Sequence, residues 1–372
     1  MQVSSRVGFT SWRRGFFCLA AGAVALACVG ACSKVEAGNT AVVDQSAPVE
    51  RSERREMIEA LADRLEANFV FPEVAGDYAR RLRTQFDTGD ALSGDDREFA
   101  NAVMQELRAV HQDAELRVRP PSGDAQLAEP ASATSEGKAI EAKMRLSPKV
   151  AYIRFGHLAG DGAAVAELNT FLQANANVGA LIVDARGMNG RGLQEVDALL
   201  ADLFPVETPL VRIDVRAAAD EAGLTTLRDG PRLKKIDGPQ GVVRREHRAV
   251  PSARPRLGQS KLYVLVSPAT AAVGEYLAQA IRLSGRGTLI GQATRGVSHA
   301  AATFDLPGGF EADIPVARAF DPSTGEDWEG LGIEPHTVIP SRDALVMALV
   351  DLGMRSKDAE LLNAKLAYEP PQ

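Results

Sequence analysis

Apolar residues in the first third of the chain return every three or four positions. Met57, Ile58, Leu61, Leu65 and Phe69 do so with Glu and Arg on the opposite side, which predicts an amphipathic helix beginning near Ser52. Phe71-Pro72 ends it, because the residue before a proline avoids helical backbone. A second helical stretch runs through Tyr78, Leu82 and Phe86. A third, after the break at Gly89–Gly94, runs from Asp96 through Phe99, Val103 and Leu107. With the short strand Leu116–Arg119 at its end, residues 52–118 read as a small helical domain. Residues 119–148, rich in Pro, Ser, Ala and Gly as far as Gly137, read as a connector too short to hold another domain.

From Lys149 the pattern changes to short apolar runs alternating with helical periods. Val150–Phe155 and Ala180–Val183 predict strands, with the helix Ala163–Ala174 between them. The second strand ends in Asp184-Ala-Arg186, and the glycine-rich loop Gly187–Gly192 leads into a helix over Leu193–Leu203. Leu210–Arg216 and Gly241–Arg245 read as a strand pair. Leu262–Val266 reads as a buried strand, Thr288–Ile290 as another, and Leu306–Gly309 as a hairpin turn. Asp343–Asp351 closes an α/β domain over 149–352, followed by a tail, 353–372. Within it, Ser267-Pro-Ala-Thr-Ala-Ala-Val-Gly-Glu275 carries the buried strand 262–266 into a helix that runs to Ser284. Such a turn is where α/β enzymes place a nucleophile, because the first helical N–H groups are free to bind an oxyanion. The residue expected to be a reactive serine is Ala272.

Composition bounds the remaining possibilities. The 372 residues are 45% hydrophobic and 24% charged, enough for a large core, and the net charge of −7 comes without a sustained basic run, so no nucleic-acid partner is expected. Arg6, Arg13 and Arg14 precede the apolar segment Gly15–Ala31, the pattern of a secretion signal (1–31). Val29-Gly-Ala-Cys32 looks like a lipobox, with Cys32 lipidated after cleavage and residues 32–51 as a tether; an ordinary signal cut at an Ala site is the alternative. Loss of the three leader arginines would take the charge from −7 to −10. The expected location is periplasmic, touching the membrane only through the anchor. All three cysteines lie at or before Cys32, so no disulfide, thiolate nucleophile or Cys-bound metal is expected in the folded body. No cofactor and no metal site is read from the sequence.

Several stretches, in order, carry a resemblance. They are Asn68-Phe-Val-Phe-Pro72, Leu107 to Val118, Asp184-Ala-Arg186 with its glycine loop, Thr270 to Glu275, Gly291-Gln-Ala-Thr-Arg-Gly296 with His299, and Asp327-Trp-Glu-Gly-Leu-Gly-Ile-Glu-Pro335. Together they resemble the tail-specific (C-terminal processing) serine peptidases, in the branch of the retinoid-binding-protein repeats and the tricorn core, which has no PDZ module. The resemblance implies an α/β, crotonase-like/ClpP-like ββα spiral domain preceded by a small helical N-terminal domain. It also implies a serine nucleophile in Thr-x-Ser-Ala-x-Glu, where Thr270 and Glu275 match and Ala272 replaces the serine. A methyl group cannot attack a carbonyl. The base position, a histidine in this branch, is Glu115. The lysine that PDZ-bearing relatives use instead corresponds to Val297. The resemblance further implies oxyanion donors at the Val273 and Gly190 N–H groups. In that glycine loop Asp184, Arg186 and Gly190 match, while Met188 and Arg191 replace an Asn and a Gly. Glu329 matches a glutamate supporting the catalytic centre, and buried acceptance of backbone amides is its other reading. Thr270, Glu275, Asp184, Arg186 and His299 are expected to frame the site, and His111 and His157 to be surface or structural histidines.

The expected function is that of a family member without serine-dependent proteolysis, whose cleft takes a peptide, a protein C-terminus or a small apolar ligand. Two alternatives stand beside it. One is a hydrolase using Ser267 or Ser298 with Glu115 or His299 as base. The other is a structural envelope lipoprotein.

Overall fold

The computed structural model describes residues 47–87, 94–121 and 137–366, all within one compact unit, Gln45–Gln372. The leader 1–31, Cys32, most of the tether, the middle of the connector and the last six residues fall outside the described residues.

The chain opens with three helices, α1 (Ala47–Asn68), α2 (Pro72–Gln85) and α3 (Asp96–Val110), followed by strand β1 (Arg117–Arg119). The periodic apolar positions do what their spacing demands. Met57, Leu61, Leu65 and Phe69 are fully buried, as are Tyr78, Leu82, Val103 and Leu107. Proline at the first position of α2 costs no hydrogen bond there. Asp95 and Glu98 cap α3 reciprocally, side chain to backbone in both directions.

Next come β2 (Ile140–Ser147), β3 (Val150–Phe155), the two-residue β4 (His157–Leu158), α4 (Gly162–Ala174), β5 (Ala180–Asp184), β6 (Asn189–Gly190) and α5 (Leu193–Leu203). An antiparallel section follows: β7 (Thr208–Arg216), the short α6 (Ala217–Glu221), β8 (Leu233–Ile236) and β9 (Val242–Ala249). The last section holds β10 (Lys261–Val266), α7 (Val273–Ser284), β11 (Thr288–Gly291), β12 (His299–Asp305), β13 (Glu311–Phe320), β14 (Thr337–Val338), α8 (Ala344–Asp351) and α9 (Ser356–Lys365).

Two sheets form the body. One has the order β14-β11-β10-β5-β3-β2 and is parallel except for β2, which pairs antiparallel to β3. Its centre, β5, buries all five residues, as a strand covered on both faces must. The other runs β1-β13-β7-β9-β8, with β12 also pairing β13, and is antiparallel throughout. Apolar residues of α1–α3 belong to the same continuous core as those of the sheets and α7.

Two sequence expectations need correction. The span 119–148, expected as connector, contains β2. This edge strand is mostly exposed, so its residues carry no buried alternation to read. The span 353–372, expected as tail, contains α9, which buries only Ala359 fully and therefore shows almost no apolar face.

Candidate active site

The strand-to-helix turn after β10 is built as tightly as its position suggests. Ser267 Oγ donates to the Arg186 carbonyl at 2.6 Å and accepts from the Ala269 N–H at 3.0 Å. Thr270 Oγ1 donates to the Ala185 carbonyl at 2.7 Å and accepts from the Ser267 N–H at 3.0 Å. The Ala271 N–H donates to the Met188 carbonyl at 3.0 Å, which docks the turn on the glycine loop. Ala272 comes next, half-buried, with φ 49° and ψ −112°. Among the described residues it is the one non-glycine with positive φ. A β-carbon in that region costs about 1–3 kcal/mol, and such strain persists where the surroundings over-determine the backbone. A sharp, strained strand-to-helix turn is the geometry that exposes a nucleophile. Here it presents a methyl group.

Glu275 supplies much of that determination. It is fully buried, and each carboxylate oxygen takes two donors. Oε1 accepts from Thr294 Oγ1 at 2.5 Å and the Gly296 N–H at 2.6 Å. Oε2 accepts from the Val297 N–H at 2.8 Å and the Ala272 N–H at 3.1 Å. Thr294 Oγ1 itself accepts from the Ile333 N–H at 2.7 Å, so its proton points to Glu275. Burial pushes the carboxyl upward and these donors oppose it. All four donors favour the charged carboxylate.

Glu329 grips the next two residues in the same way. Its Oε2 accepts from the Ser298 N–H at 2.8 Å, the His299 N–H at 3.1 Å and Ser298 Oγ at 3.2 Å. Segment 296–299 is thus held by two glutamates through four successive backbone N–H groups. Gly296 lets it lie against the 330–332 loop, since a β-carbon at its φ of 92° would sit 2.9 Å from that backbone.

The glycine loop keeps the position that needs glycine. Gly190 has φ 104°, and a β-carbon there would meet the Leu158 carbonyl oxygen at 2.2 Å. Arg191, in place of a second glycine, does not have positive φ, and its N–H donates to Leu158 O at 2.9 Å. The Met188 side chain is fully buried in the core. Val273 is the first residue of α7, so its N–H has no carbonyl within the helix to reach. Beneath the loop, fully buried Asp184 accepts from Arg186 Nη2 at 2.6 Å, Arg186 Nε at 2.8 Å, Tyr152 Oη at 2.5 Å and Arg154 Nε at 3.1 Å. Arg186 Nη1 reaches on to the Ser341 carbonyl at 2.9 Å. Burial alone would raise the Asp184 carboxyl; Arg186, Arg154 and Tyr152 outweigh it and hold it low.

The base position sits among charges. Glu115 is 7% exposed, its N–H donates to Asp113 Oδ1 at 2.9 Å, and its Oε1 has no hydrogen-bond partner among the described residues. Burial pushes its carboxyl upward. Arg117 and Arg191 oppose the shift, while Glu329 and Asp113 add to it.

His299 is clamped between two carboxylates. Nδ1 lies 2.7 Å from Asp113 Oδ2, and Nε2 lies 3.3 Å from Asp327 Oδ2. Phe71 packs against the imidazole with ring centroids 5.6 Å apart. Burial alone would lower the pKa, but the bonds to Asp113 and Asp327 raise it to about 10. At neutral pH both ring nitrogens therefore donate, and an imidazolium so held cannot serve as a base. Because the folded pKa lies above the unfolded value of about 6.5, the stabilisation is complete below that pH. It is lost as pH climbs towards 10. Thermal melts are expected to fall by several degrees over that window, and His299→Gln is expected to flatten the decline. An unchanged slope in that variant would exclude the clamp as its source.

His111 and His157 have structural surroundings. The His111 carbonyl accepts from Tyr78 Oη at 3.0 Å, and its ring packs near Phe69 and Phe71. His157 Nδ1 meets Asn189 Oδ1 at 2.7 Å across the β4–β6 ladder. The structure thus brings together Ala272, Val273, Glu275, Thr270, Val297 and the glycine loop on one side, and Glu115, His299 and Glu329 on the other. Segment 296–299 joins the two groups. Sequence reasoning did not single out Asp113, Asp327 or Thr294 as partners. Asp113 and Asp327 lie 186 and 28 residues from the histidine they hold, and only the fold unites them.

Residues 149–339 match the model of peptidase family S41. The chain belongs to peptidase family S41. One stretch is 37% identical over 84 residues to a carboxyl-terminal-processing protease of Picosynechococcus sp. (strain PCC 7002); it spans 23% of this chain and 20% of that relative. Two solved structures share the fold. A Parabacteroides merdae protein assigned as a peptidase superposes with TM-score 0.57 at 17% identity, over 82% of this chain and 98% of its own. A Streptococcus agalactiae lipoprotein superposes with TM-score 0.50 at 16% identity, over 81% of this chain and 96% of its own. At such identities the S41 fold is what is shared. The chemistry rests on the residues present.

Proposed function

We propose that this S41 member has lost serine-dependent proteolysis and binds a peptide or a protein C-terminus at the turn around Ala272. The observation that carries the reading is Ala272 at φ 49° and ψ −112°, a nucleophile turn kept in its strained form around a side chain that cannot react. The bonds that hold that turn, from Glu275, Thr270 and the Met188 carbonyl, all remain. The substitutions fall on the atoms that would react.

Neither nearby hydroxyl supports a displaced nucleophile. Ser267 is 2% exposed and committed to two backbone bonds inside the turn. Ser298 Oγ is buried against Glu329, and the adjacent His299 is an imidazolium with no free nitrogen to take a proton. In support of a peptide-sized ligand over a purely structural role, the Val273 N–H at the first position of α7 has no carbonyl to reach within its helix, as a donor to a carboxylate or carbonyl oxygen must. The carboxyl-terminal-processing protease to which one stretch is similar names a C-terminus as the kind of ligand to try first. The location we propose is the periplasm, with Cys32 as the lipid-bearing residue.

A panel of unstructured peptides with free C-termini, matched with amidated versions, tests this reading by thermal shift and calorimetry. Saturable stabilisation by the free-acid forms, weakened by amidation, is the expected outcome. Absence of binding by every peptide would favour a structural role.

A further inference from the structure

Asp113, His299 and Glu329 come from three distant parts of the chain, and one ligand atom from each lies within 4.8 Å of the other two. We infer that they form a binding site for one divalent transition-metal ion of the zinc class, with the fourth position open to a water. This goes beyond the peptide-binding reading and does not depend on it.

An acidic cluster alone would not justify a metal, but two buried carboxylate oxygens, one on Glu329 and one on Glu115 two residues from Asp113, have no hydrogen-bond partner among the described residues. Glu329 has a side chain 9% exposed, and its Oε2 accepts from two backbone N–H groups and from Ser298 Oγ. Its Oε1 is buried without a hydrogen bond among the described residues. Glu115 is 7% exposed and its Oε1 is in the same condition. A buried, unsatisfied carboxylate oxygen is costly, and such groups call for an ion or a water. An imidazole and two carboxylates match the donor set of a borderline divalent ion.

The outer contacts fit the same assignment. Asp327 Oδ2 lies 3.3 Å from His299 Nε2, an arrangement that orients the ring and leaves Nδ1 as the metal-facing nitrogen. The Glu115 N–H holds Asp113 Oδ1, so Oδ2 is the oxygen presented to the centre. Nδ1 is now 2.7 Å from Asp113 Oδ2 and 3.9 Å from Glu329 Oε2. A tetrahedral ion with bonds of about 2 Å needs ligand atoms about 3.3 Å apart. The two distances lie on either side of that spacing, and the three ligand atoms all stay within 4.8 Å of one another. The ion would replace the proton on Nδ1 as the positive charge among the carboxylates. It would join the loop after α3, the start of β12 and the 327–329 turn.

Metal-stripped protein titrated with zinc chloride tests the assignment by calorimetry, and diffraction at the zinc absorption edge locates the ion. We expect one ion per chain, with an anomalous peak bonded to His299 Nδ1. Asp327→Asn should weaken binding about 10–100-fold as an outer-contact change. His299→Gln should abolish stoichiometric uptake. His247→Gln, which removes a buried imidazole paired instead with Asp197, should leave it intact. Should His299→Gln fail to fold, the peak position in the unmodified protein decides. A chain that takes up no zinc, a peak elsewhere, or unchanged affinity in folded His299→Gln would overturn the proposal.

Discussion

The double substitution Ala272→Ser with Glu115→His is expected to convert the chain into a slow peptidase. Position 272 already has the strained backbone of a nucleophile turn, φ 49° and ψ −112°, and serine adds one oxygen to alanine. Glu275, Thr270 and the Met188 carbonyl hold that backbone without help from the side chain. The Val273 and Gly190 groups expected to bind an oxyanion are backbone N–H groups, which a change of side chain at position 272 leaves in place. The Glu115 N–H donates to Asp113 Oδ1, so an imidazole at position 115 would have a carboxylate nearby to orient it. Positioned general-base catalysis contributes about 10²–10⁴-fold. Hydrolysis of an unstructured peptide should therefore rise at least about 100-fold over Ala272→Ser alone. A folded double variant with no activity would show that the cleft does not assemble a reactive geometry, and the loop carrying Met188 and Arg191 would be the first place to look.

The largest stability effect is expected beneath the site. Arg186→Leu removes both side-chain donors that Arg186 gives to Asp184, a carboxylate with no exposure to water, and also frees the Ser341 carbonyl. Breaking one partner of a buried pair costs about 3–5 kcal/mol, since the remaining charge stays buried without compensation. Arg154 and Tyr152 still reach Asp184, which places the expected loss at the lower end of that range. The midpoint of urea unfolding should fall accordingly, with the slope unchanged. A loss below about 1 kcal/mol would mean that solvent reaches Asp184.

The positions legible in the sequence were those where the local pattern and the tertiary role coincide. α1 and β5 were readable because burial imposes a period on one and a continuous apolar run on the other. The turn at 267–275 was readable because a buried strand meets an amphipathic helix there. β2 and α9 lie at the periphery, bury little, and leave no such pattern. Within the site, chain order pointed to Ala272, Glu275 and Glu329, but not to what they touch. That Glu275 and Glu329 hold four consecutive N–H groups, or that His299 is an imidazolium between Asp113 and Asp327, depends on pairings made across the fold. The positive φ of Ala272 was equally invisible, since alanine is a residue that ordinarily avoids it.

Loss of the nucleophile is tested most directly by treating the purified, unmodified protein with a fluorophosphonate and measuring its intact mass. The chain is expected to gain no adduct under conditions that fully label an active serine hydrolase, while Ala272→Ser with Glu115→His gains one, mapped to residue 272. A stoichiometric adduct on any serine of the unmodified chain, Ser298 or Ser267 above all, would contradict the account.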